Sequence, residues 1–118
     1  EFVIGGFTEP HGERVGFGAL LLGVYDNSDL VYAGKVGTGF EDKTLHSLRD
    51  RLSSLERKTT PFDRGDPPTT EVHWVRPALV AQIGFEEWTH DDRLRQPRYQ
   101  GLRRDKEPTD VIKEEPTS

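Results

Sequence analysis

Apolar residues in the first forty positions come in three short runs that turn-forming residues separate. The runs are EFVIGGF, VGFGALLLGVY and LVYAGKVGTGF, and their β-branched and aromatic side chains favour strands. Pro10 and Gly12 mark the first connection as a loop, and DNSD predicts a hairpin turn because Asn and Asp tolerate left-handed backbone. The two glycines of the first run indicate a bulge or a bend. This part of the chain predicts a three-stranded meander.

The next segment changes its period. In DKTLHSLRDRLSSLER the leucines recur every three or four residues, which places them on one stripe of a helix. They are Leu45, Leu48, Leu52 and Leu55. We expect Asp42 or Thr44 to cap the start of this helix, and Arg57 and Lys58 to favour its C-terminal end. A helix with one apolar face has to lie on a sheet.

The second half of the chain returns to strand patterns. TTPFDRGDPPTTE is a loop, and VHWVRPALVAQIGFEEWT predicts an irregular lead-in, a break at Pro77 and then a main strand. HDDR predicts a turn, and LRQPRYQGLR a last strand that Pro97 demotes to a sheet edge. From Glu107 onward the composition is charged and contains proline, so residues 107–118 are interpreted as a flexible linker or tail after a domain at 1–106.

This order of elements predicts an all-β fold with one helix. Five strands with a helix between the third and the fourth are the layout of the OB-fold, a Greek-key barrel that binds nucleic acids across its face and loops. An SH3-like barrel is the main structural alternative, although it does not need so long an amphipathic helix at this place. The chain begins inside a strand-like run and lacks methionine, so we expect it to be a piece of a longer protein.

Positive charge is concentrated near the end of an acidic chain. Residues 91–106 carry six Lys or Arg side chains and three Asp side chains, although the net charge of the whole chain is −5. An acidic surface argues against non-specific binding of nucleic acid by the whole protein but leaves a local basic groove open. Disulfides and thiolate metal sites are excluded because the chain has no cysteine. No apolar run is long enough for a membrane span or a signal peptide.

Few of the familiar catalytic patterns occur. The four histidines have no metal-ligand spacing, and G-x-S-x-G is absent. In AGKVGTGF, Lys35 precedes Gly37 and Gly39, whereas a phosphate-binding loop needs lysine after its second glycine, followed by Ser or Thr. In the stretch RYQGLRRDK an extended chain places Arg103 and Asp105 on one face and Arg104 on the other. These cations could hold phosphate, or the strand could be a solvated edge that blocks aggregation.

Five segments taken together resemble the C-terminal OB domain of ATP-dependent DNA ligases, most closely the bacterial end-joining enzyme DNA ligase D. They are EFVIGGF, GFGALLLGVYD, YAGKVGTGF, WVRPALVAQIGFEEWT and RYQGLRRDK. The last segment contains GLRRDK, which resembles motif VI of the covalent nucleotidyltransferases. The resemblance extends from Glu1 to Lys106. Gly101 stands where eukaryotic relatives often have a basic residue, which fits the bacterial branch.

The resemblance implies a catalytic contribution to a larger enzyme. In such ligases a lysine of the adenylation domain attacks ATP, AMP passes to a 5′-phosphate, and the 3′-hydroxyl seals the nick. It implies that Arg103, Asp105 and Lys106 orient the departing pyrophosphate. ATP and Mg²⁺ or Mn²⁺ are implied for the parent enzyme, with neither bound by this domain alone. The K-x-D-G nucleophile motif is absent from the chain, so we expect the isolated chain to be inactive.

The resemblance also implies a DNA surface and a set of partners. Lys35, Thr38 and Phe40 resemble the DNA-facing segment, and Arg14 and Arg98 are further candidates for phosphate contacts. The implied partners are nicked double-stranded DNA and the adenylation domain of the same polypeptide, together with a polymerase domain and Ku. The implied setting is double-strand break repair by non-homologous end joining, in the bacterial cytoplasm at the nucleoid and away from membranes.

Two other functions are compatible with the residues. The chain could be a stand-alone nucleic-acid-binding OB protein without a catalytic partner. It could also be a barrel that binds only proteins, which predicts no salt-dependent affinity for DNA.

Overall fold

Strands make up most of the structure. The computed structural model describes residues 1–113, in which nine strands, one α-helix and one short 3₁₀ helix follow one another. The strands are β1 (Phe2–Thr8), β2 (Leu20–Asp26), β3 (Asp29–Val36), β4 (Glu56–Arg57), β5 (Val72–Val75), β6 (Val80–Gly84), β7 (Glu87–Trp88), β8 (Leu94–Arg95) and β9 (Arg98–Arg103). The helix α1 (Asp42–Ser53) follows β3, and the 3₁₀ helix spans Pro108–Asp110. None of the helices in this described part is long and apolar enough to cross a membrane.

The predicted meander is confirmed. β1, β2 and β3 pair in antiparallel order, and the ladder between β1 and β2 shifts register between Ile4 and Gly6, where the glycines indicated a bulge. At the hairpin turn, Asn27 and Ser28 have φ angles of 50° and 73°. Two successive left-handed residues match the twist of the flanking strands, so the turn fixes the register of β2 on β3.

The helix is confirmed, but its ends differ from the prediction. Leu45, Leu48 and Leu52 are buried on one face, as their spacing predicts. The residue at the N-cap is Glu41, because its backbone is extended and its carbonyl accepts the first helical hydrogen bond, from Leu45 N at 3.0 Å. The N-cap prediction of Asp42 or Thr44 was therefore wrong.

The basic residues expected at the C-terminal end of α1 lie beyond it. The helix ends at Ser53, and Arg57 belongs to β4, where it pairs with Trp74. The chain turns at Leu55, whose N–H donates a hydrogen bond to the carbonyl of Leu52 at 2.9 Å. The residues after this turn therefore pair with β5 and do not continue the helix.

The strand count is larger than five because the second half of the chain is broken into short pieces. The lead-in before Pro77 is a regular strand, β5, and β1 pairs with β5 near its end and with β6 near its start. β7 and β8 form a separate two-stranded sheet. The main sheet runs β3-β2-β1-β5-β4, and β6 pairs with both β1 and β9.

The last strand brings the sheet round towards its first edge. β9 pairs along its length with β6, in keeping with the edge position that Pro97 predicts. On its other side, Tyr99 N donates a hydrogen bond to the carbonyl of Thr38, just after β3, at 2.9 Å. Gly39 lies against this junction with a φ angle of 92°. A Cβ atom there would collide with the backbone carbonyl of Tyr99 and lie 2.8 Å from its nitrogen.

We expect Gly39→Ala to lower the free energy of unfolding by roughly 2–3 kcal/mol, because the substitution adds a left-handed strain and a backbone collision. Gly12→Ala is the matched control. Gly12 is also left-handed, with a φ of 64°, but no atom lies within 4 Å of the Cβ position, so the strain alone should cost about 1 kcal/mol. Urea unfolding measures both values, and equal losses would show that the junction does not constrain residue 39.

Residues after β9 return to the sheet. Val111 is 1% exposed and belongs to the core, and its carbonyl accepts a hydrogen bond from Tyr25 N at 2.7 Å. Lys113 contacts Asp92 at 2.8 Å and lies over the ring of Trp88. The chain up to Lys113 is thus attached, which differs from the linker expected from residue 107. The rest of that predicted tail, residues 114–118, lies outside the described residues.

Candidate functional site

The three residues predicted to handle pyrophosphate meet at the end of β9, where they join two residues that are distant in sequence. We call this group the Glu1 cluster: Glu1, Gln82, Arg103, Asp105 and Lys106. Two ladder pairs build it, since Val80 on β6 pairs with Arg103, and Phe2, next to Glu1, pairs with Ala81. Three strands therefore hold the cluster in place.

Arg103 is the most heavily hydrogen-bonded member of the Glu1 cluster. Its Nε and Nη2 donate to the two carboxylate oxygens of Asp105 at 3.0 and 2.9 Å, a two-pronged contact. Its Nη1 reaches Glu1 Oε2 at 2.8 Å and Gln82 Oε1 at 3.1 Å. A guanidinium has five N–H donors, so contacts within residues 1–113 occupy four of them. Arg103 is fixed in direction and has little capacity left unless Asp105 moves.

Lys106 has more freedom. Its Nζ contacts Glu1 Oε1 at 3.2 Å, and its side chain is 32% exposed. An ammonium carries three N–H donors on a flexible stem, so Lys106 can keep the contact with Glu1 and still offer donors to an anion. Arg104 is exposed, in keeping with the prediction that it points away from Arg103.

Electrostatics keep the Arg103–Asp105 pair charged. Hydrogen bonds from Arg103 lower the pKa of Asp105, and the hydrogen bonds and charge of Asp105 raise the pKa of Arg103. Asp105 is 71% exposed, so water can reach it. An arrangement of cations around a replaceable carboxylate is suited to exchanging that carboxylate for phosphate oxygens.

A second group of predicted residues surrounds an aromatic stack. The Phe40 and Tyr99 rings stack with centroids 4.5 Å apart, and Phe17 meets Phe40 edge-on at 5.0 Å. We call these three rings, with Arg14, the Phe40 platform. The Arg14 guanidinium lies 5.9 Å from the Phe40 ring and donates to the carbonyls of Phe17 and Gly37.

The remaining residues predicted to contact DNA differ in how close they are to the Phe40 platform. Thr38 bonds the carbonyl of Pro97 at 3.2 Å and is exposed beside Tyr99. Arg98 is exposed on β9, next to Tyr99 in sequence. Lys35 is exposed on β3, three residues before Thr38. Arg14 is partly buried, and its Nη2 has no hydrogen-bond partner within residues 1–113. It supports the platform, and its contact with DNA stays a prediction.

The two groups occupy opposite ends of β9. Tyr99 is its second residue and Arg103 its last, and an extended chain rises about 3.3 Å per residue. The Phe40 platform and the Glu1 cluster are therefore separated by more than one residue layer of the sheet. One surface can serve one ligand while the other serves a different ligand.

Comparison with known proteins decides the family. Residues 13–106 match the family model described as "ATP dependent DNA ligase C terminal region". The chain belongs to this ligase family. It is 44% identical over 115 residues to the multifunctional non-homologous end joining protein LigD of Mycolicibacterium smegmatis and 41% identical over 121 residues to LigD of Pseudomonas aeruginosa. These matches cover 95% and 98% of the chain, but 15% and 14% of the relatives.

The structural comparison agrees with the ligase family. The crystal structure of the ligase domain from M. tuberculosis LigD superposes with a TM-score of 0.86 at 39% identity. The superposition covers 96% of this chain and 37% of that ligase domain. The mostly β fold with one helix and an antiparallel sheet is thus the fold of a ligase C-terminal region. The chain spans about 15% of the length of the curated relatives that it matches.

The structure adds residues to this ligase region that sequence patterns did not reveal. Glu1 and Gln82 are far from motif VI in sequence and enter the Glu1 cluster only through strand pairing. Tyr99 stacks on Phe40, and Arg51 on α1 is close enough to act on the pKa of Tyr99, which burial raises. The alternation of Tyr99 with the exposed Arg98 and Gln100 on β9 was the available signal for an inward-facing ring.

A metal ion is implied for ATP-dependent ligases as whole enzymes. Within residues 1–113 no three His, Asp or Glu side chains form a group that could hold one. The acidic members of the Glu1 cluster are engaged with Arg103 and Lys106. These residues do not fit a metal centre.

Proposed function

We propose that this chain is the OB-fold domain of an ATP-dependent DNA ligase of the ligase D branch, acting in double-strand break repair by non-homologous end joining. It helps adenylation through motif VI and clamps nicked duplex DNA. The observation that carries the proposal is the Glu1 cluster, in which Arg103, Asp105 and Lys106 converge within a chain of the ligase family.

The strand pairing supports a five-stranded Greek-key barrel. β5 and β6 act as one strand broken at Pro77, because both pair with β1. β4 is then a two-residue addition at the β5 edge, β7 and β8 are an insertion, and β9 is the fifth strand, closed onto the β3 side through the bond from Tyr99 to Thr38. The helix lies between the third and fourth strands, which distinguishes an OB-fold from an SH3-like barrel.

The first activity is stabilisation of negative charge on pyrophosphate. When the lysine of the adenylation domain attacks the α-phosphorus of ATP, charge develops on the departing β- and γ-phosphates. Preplaced cations stabilise such charge without reorganisation at the moment of reaction. Lys106 offers N–H donors on a flexible side chain to the phosphates. Arg103 offers its guanidinium N–H groups once the Asp105 carboxylate has moved away from them. The Glu1 cluster thus acts as a lid over a nucleotide pocket that belongs to the adenylation domain.

The second activity is DNA binding at the Phe40 platform. Lys35, Arg98 and Thr38 contact phosphates beside the stacked rings, and Arg14 supports the surface from below. Because the platform and the Glu1 cluster lie at opposite ends of β9, the domain can turn between the two steps.

The chain lacks K-x-D-G and should not adenylate alone, so ATP and Mg²⁺ or Mn²⁺ act in the adenylation domain of the same polypeptide. The further proposed partners are a polymerase domain and Ku, and the proposed location is the bacterial cytoplasm.

We expect weak, salt-dependent binding of nicked duplex DNA by the isolated chain, with Kd on the order of 1–100 µM at physiological salt, because one small acidic domain cannot surround a duplex. Lys35→Ala and Arg98→Ala should each weaken binding about threefold to tenfold and lower the salt slope by about one. Lys58→Ala, an exposed lysine just after β4 at the far end of the strand order, is the matched control.

Fluorescence anisotropy with a labelled nicked duplex separates the three candidate functions. Nanomolar affinity at physiological salt would favour the stand-alone nucleic-acid-binding protein. An absence of binding at any salt concentration would favour the protein-interaction barrel. Equal effects of Lys35→Ala and Lys58→Ala would remove the Phe40 platform as the binding surface.

A further inference from the structure

We propose that Glu1 is a positioning residue for the adenylation step, since it sets Arg103 and Lys106 at the spacing at which they receive the pyrophosphate. This inference rests on the proposed function of motif VI. It extends the site to a residue that directly precedes β1, outside the motif itself.

Glu1 lies beneath the two cations. Its side chain is 14% exposed, whereas Arg103 and Lys106 are 38% and 32% exposed. Each of its carboxylate oxygens takes one cation: Oε2 receives Arg103 Nη1 at 2.8 Å, and Oε1 receives Lys106 Nζ at 3.2 Å. One carboxylate thus holds two donors side by side. Lys106 still has free N–H donors for a phosphate group, and Arg103 gains them when Asp105 moves away.

The residue next to Glu1 is held in the sheet. Glu1 precedes Phe2, which pairs with Ala81 on β6, and Val80 on β6 pairs with Arg103 on β9. Phe2 is itself packed edge-on against Phe85, with centroids 5.6 Å apart. A functional group is most accurately placed when its support stands on strands whose side chains are locked by packing. Phe2, the neighbour of Glu1, meets that condition, whereas Asp105 lies in an exposed bend after β9.

The consequence of losing Glu1 differs between the two cations. Arg103 would keep Asp105 and Gln82, so its direction would change little. Lys106 would lose the hydrogen bond that holds it, and a four-carbon stem then samples many rotamers. Glu1 should therefore affect the adenylation rate mainly by positioning Lys106. The two cations are themselves 38% and 32% exposed, so water can replace the contacts with Glu1, and the effect should appear in the reaction more than in stability.

The test uses the longer polypeptide that carries this chain, with labelled ATP as the probe. Glu1→Gln keeps the shape and one acceptor oxygen but cannot serve both cations. We expect the rate of enzyme–AMP formation to fall about tenfold or more, the size expected for losing a hydrogen bond to a charged group. Sealing of a pre-adenylated nick and the unfolding temperature of the chain should stay close to those of the wild type. Glu87→Gln, an exposed carboxylate paired with Arg95 at 3.3 Å, is the matched control and should behave as the wild type.

A double-variant comparison separates positioning from a purely structural effect. If Glu1 acts through Lys106, then Glu1→Gln should add almost nothing to the loss already caused by Lys106→Ala. The assignment of Glu1 would be overturned if the double variant lost adenylation rate by the product of the two single losses. It would also be overturned if Glu1→Gln slowed adenylation and sealing equally, or if it adenylated like the wild type. A wild-type polypeptide that forms no enzyme–AMP with ATP would overturn the proposed function, and the assignment of Glu1 with it.

Discussion

Lys106→Ala is expected to slow adenylation of the longer polypeptide on the order of a hundredfold, the loss typical of removing one preplaced donor from developing negative charge. Arg103→Ala should cause a similar loss, because it removes the fork from the cluster and leaves Asp105 without its two-pronged partner. The sealing of nicks that already carry AMP should change little. In the proposed mechanism pyrophosphate has left before that step, so these cations no longer face developing charge.

The measurement compares single-turnover formation of enzyme–AMP with single-turnover sealing of a pre-adenylated nick. Arg104→Ala is the matched control, because it removes an exposed cation from the same strand end without touching the Glu1 cluster. We expect near wild-type rates for this variant in both steps. If Arg103→Ala and Lys106→Ala slowed both steps equally, they would act on folding or on DNA binding instead of on pyrophosphate.

The bend that carries Asp105 and Lys106 is held on both sides, which bears on how a lid at this place works. On one side Arg103 is the last residue paired in β9, and on the other side Val111 is buried in the core. The exposed residues between them, including Asp105, form a short bend whose two ends limit its movement relative to the sheet. A lid whose cations travel with the whole domain needs this rigidity, because loose cations would cost conformational entropy at every closure.

Local patterns were sufficient for the elements whose structure depends on near neighbours. The stripe of Leu45, Leu48 and Leu52 and the left-handed turn at Asn27 follow from spacing and backbone preference. The N-cap of α1 did not follow, because backbone geometry at Glu41 decided it without a side-chain hydrogen bond. Glu1 could not be placed in the site from sequence, since its contacts depend on how three strands pair.

The end of the domain is the other case in which long-range contacts prevailed over composition. A charged, proline-containing segment is usually solvated. Here one apolar residue, Val111, reaches the core, and the N–H of Tyr25 finds its acceptor in the Val111 carbonyl. A single valine in an acidic stretch is too weak a signal to predict an anchored segment. The domain boundary expected at Lys106 stays a prediction, and its test is direct.

A chain that ends at Lys106 should be less stable than the whole chain by roughly 3–5 kcal/mol, which corresponds to an unfolding temperature lower by about 10–20 °C. Removing residues 107–118 uncovers the core around Val111 and leaves the Tyr25 N–H without its partner. Loss of the Lys113 contact with Asp92 adds little, because that ion pair is exposed. A chain that ends at Lys113 is the matched control and should unfold like the whole chain in a circular dichroism melt. If the shorter chain melted at the same temperature, residues 108–113 would be no more than the linker that their composition suggests.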